Sequence, residues 1–177
     1  MQSSAASRIQ ANLQDLFKAN LSPGDSHIRF QLTSDITALL SMKQVQESLV
    51  IDAEKITTLP SMPESAIGIM SSRNRVFCVF DLAQLLGLPS PLGSPRQYQI
   101  IVLQNSSEPN IYIGFAVSKL QGIIRLSAEQ IKSSLEGVSS QVIPYLCGTV
   151  EKSQTTNFIL DFNRIVEAVI SLKTTVE

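Results

Sequence analysis

The chain has few of the residue types on which most catalytic and metal sites depend. Its 177 residues contain one histidine, two cysteines and no tryptophan. A zinc site needs several closely spaced His or Cys ligands, and a nucleophilic triad needs a histidine beside a serine. The sequence also lacks the GxSxG, P-loop, HExxH and GxGxxG patterns. We therefore expect no catalytic residue, no metal site and no cofactor.

The two cysteines, Cys78 and Cys147, do not form a CxxC pair, and each lies within or beside an apolar run. Free cysteines are among the most buried residue types in proteins. A disulfide framework or metal site lacks support, and we predict two buried, reduced thiols.

Charge is also scarce, and neither sign dominates. Charged residues make up 16% of the chain, with 14 Lys plus Arg against 15 Asp plus Glu. Without a basic stripe, a nucleic-acid partner is not expected, whereas 44% hydrophobic residues favour faces covered by other proteins. No apolar run approaches the ~20 residues of a bilayer span, and the N-terminus lacks a signal-like apolar core. We predict a cytoplasmic protein without direct membrane insertion.

What the chain does contain is a repeated arrangement. Gly68 is followed thirteen residues later by Asp81, and Gly148 is followed by Asp161 at the same interval. A strand-like run precedes each aspartate and a helix-like run follows it, which is typical of Asp at a helix N-cap. The repeat predicts two related β-rich lobes, each ending in a capped helix.

The remaining periodicity is mostly that of strands. Alternating or β-branched runs predict strands at 27–33, 36–41, 43–50, 98–104, 111–117 and 120–126. The first three read as a hairpin continuing into a third strand. We expect an N-terminal helical extension at 1–24, with an amphipathic helix over 7–20, followed by one domain at 25–177 that ends in a second helix. The Pro- and Ser-rich residues 88–96 are interpreted as the passage between the lobes.

The segment LPSMPESAIGIMSSRNRVFCVFDLAQLLGL resembles the signature of CheW-like coupling domains, P-x-x-x-x-G-h-h-x-h-R-G-x-h-h-P-h-h-D-L, where h is apolar. Upstream, the VQE of Val45 to Glu47 is similar to a motif found in the third strand of that family. Two departures are Asn74 in place of the usual glycine, which requires a positive φ that Asn tolerates, and Cys78 where proline is common. The matching positions are Pro63, Gly68, Arg73, Val76, Phe77, Val79, Asp81 and Leu82.

This resemblance implies a mainly β fold of two intertwined, five-stranded, β-barrel-like subdomains. It also implies a non-enzymatic adaptor that joins chemoreceptors to the regulatory domain of a CheA-like histidine kinase, at receptor arrays on the inner face of the membrane. In the family the kinase contacts the ends of the subdomains, and the receptor tip docks in an apolar groove between them. Val45, Glu47, Gly68 and Arg73 are carried over as partner-contacting or interface-shaping residues.

Each of these residues also has a purely structural interpretation: Val45 as core, Glu47 as partner of a basic group, Gly68 as a point of close backbone approach, and Arg73 as a clamp on its own turn. Two other functions stay open. One is a small β-barrel enzyme using a serine and His27, a residue otherwise expected on an edge or terminal strand. The other is a structural component of a motility complex without kinase contact. The N-terminal helix resembles extensions in pilus-motility or phototaxis adaptors.

Overall fold

The computed structural model describes residues 24–174, so the helix predicted over 7–20 and most of the extension at 1–24 lie outside the described residues. Within residues 24–174, ten strands and two α-helices follow one another. The strands are β1 (Asp25–Gln31), β2 (Thr37–Ser41), β3 (Val45–Asp52), β4 (Ala66–Ser72), β5 (Arg75–Asp81), β6 (Gln97–Gln104), β7 (Tyr112–Val117), β8 (Lys119–Leu126), β9 (Leu146–Lys152) and β10 (Thr155–Leu160). The helices are α1 (Leu82–Leu85) and α2 (Phe162–Thr174).

The strands form two five-stranded sheets of the same topology. One has the order β8-β1-β2-β10-β9 and the other β3-β6-β7-β5-β4. In each sheet a single pair is parallel, β10 with β2 and β5 with β7, while the other neighbours are antiparallel. The mainly β fold of two five-stranded subdomains with a C-terminal helix is confirmed.

The two sheets are intertwined because each repeat contributes strands to both. The first repeat, β1 to α1, puts β1 and β2 in one sheet and β3, β4 and β5 in the other; the second repeat, β6 to α2, does the reverse. The predicted hairpin and third strand are present as β1, β2 and β3, but β3 joins the other sheet. Residues 88–96 join the two repeats, and the strands on either side of them, β5 and β6, share a sheet. The chain changes sheet at 42–44 and at Ser118.

Local features of the repeat are confirmed. A two-residue turn with positive φ at both positions joins β4 to β5, with φ of 48° at Arg73 and 61° at Asn74. The turn between β9 and β10 has the same form, with φ of 53° at Ser153 and 63° at Gln154. Such turns match the twist of antiparallel strands. Asn74 thus takes the left-handed conformation that its substitution for glycine requires.

The main core lies between the two sheets and is closed by α2. This helix buries Phe162, Ile165, Val166 and Val169, whereas Ile170, predicted on the same apolar face, is 52% exposed. Each sheet also encloses a smaller apolar cluster of its own. The core therefore covers only part of the apolar face of α2, and Ile170 lies outside the covered part.

The prediction of two buried thiols was wrong for Cys147. This residue is exposed on β9, an edge strand, and Cys78 is only partly buried. Successive side chains of a strand point to opposite faces, and Cys147 falls between buried Leu146 and Gly148. Partial desolvation of its sulfur, and then the Asp161 carboxylate, raise the pKa of the Cys147 thiol.

Candidate partner-binding site

Glu47 joins the two edges of one sheet. It lies on the edge strand β3, and the turn after the opposite edge strand, β4, carries Arg73. Ser72 Oγ donates a hydrogen bond of 3.0 Å to Glu47 Oε1, and Arg73 Nε lies 3.2 Å from Glu47 Oε2. The carboxylate therefore holds both edges together and helps to curl the sheet into a barrel-like subdomain. The sequence had predicted both residues, and the fold brings them into contact.

The two members of this ion pair differ in exposure. The Glu47 side chain is 10% exposed and the Arg73 side chain 72% exposed. Solvent screens the exposed guanidinium, so the Coulomb attraction contributes only about 0–1 kcal/mol. The nearly buried carboxylate, by contrast, depends on both donors, because an unsatisfied buried acceptor costs roughly 1–3 kcal/mol. Glu47 is thus a structural anchor, and the Arg73 guanidinium is the part that a partner can reach.

The other two predicted residues, Val45 and Gly68, pack against residues of this chain. Val45 packs, partly buried, against the main core. Gly68 is buried, and a Cβ at this position would lie 2.4 Å from the Thr57 carbonyl oxygen. The backbones of Thr57 and Ile69 exchange two hydrogen bonds of 2.8 Å there. Gly68 therefore permits a close backbone crossing, and a direct partner contact by Val45 or Gly68 stays a prediction.

An apolar groove runs between the two subdomains. Its walls are β5 and β7 of one sheet and α2, the helix that follows the last strand of the other. Two cavities, of about 250 and 260 Å³, lie along it and share Cys78, Phe80 and Val169. Val76, 71% exposed, and Ile111, 41% exposed, stand at its rim. This groove presents apolar surface that residues 24–174 leave uncovered.

Sequence reasoning did not single out the groove residues, although β5 contains a signal for them. The run RVFCVF is apolar at successive positions, so alternation places Phe77 and Val79 on one face and Val76, Cys78 and Phe80 on the other. Phe77 and Val79 fill the interior of their own sheet. A strand that is apolar on both faces needs cover on both, and here the second face forms the groove.

His27, expected on an edge or terminal strand, lies on β1, which is the first strand in the described residues but not an edge of its sheet. Strand β1 lies between β8 and β2, and His27 is 6% exposed. Its Nδ1 is 3.0 Å from the main-chain oxygen of Asp25. The Ser41 hydroxyl, on the neighbouring strand, accepts a hydrogen bond from the Lys43 N–H. The contacts of His27 are those of a core residue, and nothing in them favours the enzyme hypothesis.

Within residues 24–174, no helix is long and apolar enough to cross a membrane, and no group of three or more His, Cys, Asp or Glu side chains is placed to hold a metal ion.

Comparison with known proteins agrees with this architecture. The model of the CheW-like domain matches residues 27–169. The chemotaxis protein CheW of Thermotoga maritima is 26% identical over 121 residues, which cover 68% of this chain and 76% of that protein. The crystal structure of the scaffolding protein TtCheW from Thermoanaerobacter tengcongensis superposes with a TM-score of 0.68 at 19% identity, covering 82% of this chain and 94% of that one. The chain belongs to the CheW-like domain family.

Proposed function

We propose that this protein is a non-enzymatic scaffold that couples chemoreceptors to a CheA-like histidine kinase in a motility pathway. Family membership supports this function, and the open apolar groove between the subdomains is the observation that carries it. The signal would pass by contact, since the scaffold holds receptor and kinase side by side. Recruitment to receptor arrays at the inner face of the membrane follows from the same proposal.

The groove suits the helical tip of a receptor. An amphipathic helix binds a groove through apolar side chains one or two turns apart. The two adjoining cavities each have room for apolar anchors, and burying one large aliphatic anchor contributes roughly 1.5–3 kcal/mol. The exposed rim residues Val76 and Ile111 would be covered in the complex.

The kinase contact is proposed at the turn between β4 and β5. This turn carries the exposed Arg73 guanidinium, a planar group suited to carboxylates, while Glu47 fixes its position. Val45 and Gly68 would shape the same subdomain from within. A role in phototaxis or pilus motility rests on the resemblance of residues 1–24 to extensions of such adaptors.

The receptor contact is tested by placing a charge at the rim. Val76→Lys should weaken binding of a purified chemoreceptor tip fragment at least tenfold in calorimetry, because a desolvated ammonium would face apolar surface. Val50→Lys is the matched control, since Val50 is a strand valine that is 60% exposed outside the groove. Equal affinities of the two variants would contradict receptor docking in the groove.

The same preparation tests the kinase contact. Arg73→Ala should weaken binding of a CheA-like regulatory domain while leaving the melting temperature within a few degrees, since the side chain is 72% exposed. Arg125→Ala, an exposed arginine of the other sheet, is the control. Glu47 is a poorer probe because it is nearly buried. A wild-type protein that fails to bind the kinase domain at roughly 10–50 µM, the range of weak specific complexes, would favour a motility component without kinase contact.

A further inference from the structure

Within residues 24–174, the edge strand β8 carries an uncovered isoleucine on its main-core face. Ile123 stands opposite Ile28 in the register of β8 with β1, and residues that face each other across two strands lie on the same side of the sheet. Ile28 is 4% exposed within the main core, whereas Ile123 is 60% exposed. Leu120, opposite Phe30 on the same side, packs partly buried against that core. The β8 end of this face is therefore open to solvent.

The described chain begins beside this surface. Gly24 lies against the end of β8, since a Cβ on Gly24 would collide with the carbonyl group of Leu126. Arg125 Nη1 also donates a hydrogen bond of 3.4 Å to the Gly24 oxygen. Ile123 precedes Leu126 by three positions on β8, which is about 10 Å at the rise of a strand. Residues 1–23 are thus attached close to an uncovered apolar side chain.

The sequence of residues 7–20 has the pattern of an amphipathic helix. Its large apolar residues recur at spacings of three and four, which places them on one face: Ile9, Leu13, Leu16 and Phe17. Such a helix is stable in water mainly when another surface covers its apolar face.

The dimensions of the segment fit the strand. A helix over residues 7–20 would be about 21 Å long, and the residues of β8, Lys119–Leu126, extend about 27 Å. Residues 21–23 can span about 10 Å, so the helix can turn back from Gly24 and lie along β8.

We propose that residues 7–20 form a helix whose apolar face packs on β8 around Ile123, so that this segment belongs to the fold of its own chain. A short tether holds such a segment at an effective concentration of about 1 mM, which favours it over a separate partner at the same surface. Docking removes Ile123 and the apolar face of the helix from water together. Ile123 lines neither cavity of the groove, so the inference is independent of the receptor and kinase contacts.

A single introduced tryptophan reports on the helix, because the chain contains none. Phe17→Trp places the reporter on the apolar face, and Lys18→Trp places it on the opposite side as the matched control. We expect blue-shifted emission and an acrylamide quenching constant at least about threefold lower for Phe17→Trp, since packing covers most of an aromatic side chain. Adding Ile123→Lys should raise that constant to the value of the control. Adding Val76→Lys, at the rim of the groove, should leave it unchanged.

A second measurement applies even if Ile123→Lys unfolds the protein. In methyl NMR spectra of the full chain, Phe17→Leu should shift the Ile123 methyl resonances, because it removes the ring current of a neighbouring phenyl group. The methyl resonances of Ile111, at the groove rim, should stay in place.

The opposite results would overturn the inference. These are equal quenching of the two reporters, quenching that Ile123→Lys does not change in a folded protein, or an Ile123 methyl group that does not respond to Phe17→Leu. Release of the reporter by Val76→Lys instead would place the helix in the groove. Protection that disappears on dilution would place it on a second copy of the chain. Either result contradicts docking on β8 of the same chain.

Discussion

Gly68 and Gly148 both permit a close approach of a neighbouring segment, but the atoms that they face differ. Each precedes a residue whose backbone exchanges two hydrogen bonds with a passing segment: Ile69 with Thr57, and Thr149 with Lys132. A Cβ on Gly68 would lie 2.4 Å from the carbonyl oxygen of Thr57, whereas one on Gly148 would first meet the Ile131 Cγ2 methyl at 2.7 Å. A methyl at the end of a side chain can turn aside more easily than the carbonyl of Thr57, which accepts a hydrogen bond from the Ile69 N–H.

Gly68→Ala should therefore destabilise the protein more than Gly148→Ala. We expect losses of at least ~2 kcal/mol and about 1 kcal/mol respectively in the free energy of unfolding, in the range of overpacking substitutions. Urea denaturation of the three proteins measures this difference. Similar losses in the two variants would show that the Thr57 crossing yields as readily as the Ile131 side chain.

At the scale of elements, both repeats end in a hairpin followed by a helix that an aspartate caps. Asp81 Oδ1 accepts a hydrogen bond of 3.2 Å from the Gln84 N–H, and Asp161 Oδ1 accepts one of 3.0 Å from the Asn163 N–H. The surroundings of the caps differ. Asp81 is 4% exposed, and its other oxygen accepts a hydrogen bond from the Ser90 hydroxyl. The first cap thus also holds Ser90, in the connection between the repeats, in place.

Asp81→Ala should consequently cost more stability than Asp161→Ala. Loss of the cap alone costs about 1 kcal/mol, and at Asp81 the Ser90 hydroxyl also loses its acceptor, which raises the expected total to roughly 2–3 kcal/mol. Asp35→Ala, at an exposed turn position, is the control and should stay within about 0.5 kcal/mol. Denaturant midpoints at pH 7 compare the variants, and an equal cost at Asp81 and Asp161 would contradict a separate role for Ser90.

At the scale of the whole molecule, the exchange of strands between repeats makes the two subdomains interdependent. Neither repeat contains a complete sheet, because β1 and β2 of the first share a sheet with β8, β9 and β10 of the second. The main core lies between the sheets and draws residues from both repeats. Cores shared in this way favour a single cooperative transition.

A chain cut after Gly93 tests this interdependence. Gly93 lies in the connection between the repeats, and a Cβ there would have no atom within 4 Å, so the cut removes little packing. We expect fragments 1–93 and 94–177 each to lack native tertiary structure and to recover it on mixing, as followed by near-ultraviolet circular dichroism and amide chemical shifts. A fragment that shows native-like shifts alone would contradict the intertwined core as the unit of folding.

Prediction from sequence reached Glu47 and Arg73 but not the residues that line the groove. The pair stands on recognisable motif positions, so resemblance was enough to propose each residue, although not their contact across the sheet edges. Val76 lies on β5, whereas Tyr112 begins β7 and Ile111 directly precedes it, and only the pairing of β5 with β7 brings them together beside α2. The exposure of Cys147 also escaped prediction, because it depends on β9 being an edge strand.

The sequence by itself determined the local structure: the strands, the left-handed turn at Arg73 and Asn74, the aspartate caps and the two repeats. These features depend on φ preferences and hydrogen bonds between residues a few positions apart. Only the tertiary structure decided which sheet each strand joins, that Glu47 closes one sheet, and that residues 24–174 leave an apolar groove open. Those outcomes depend on contacts between distant residues, and strands of similar pattern do not specify their partners.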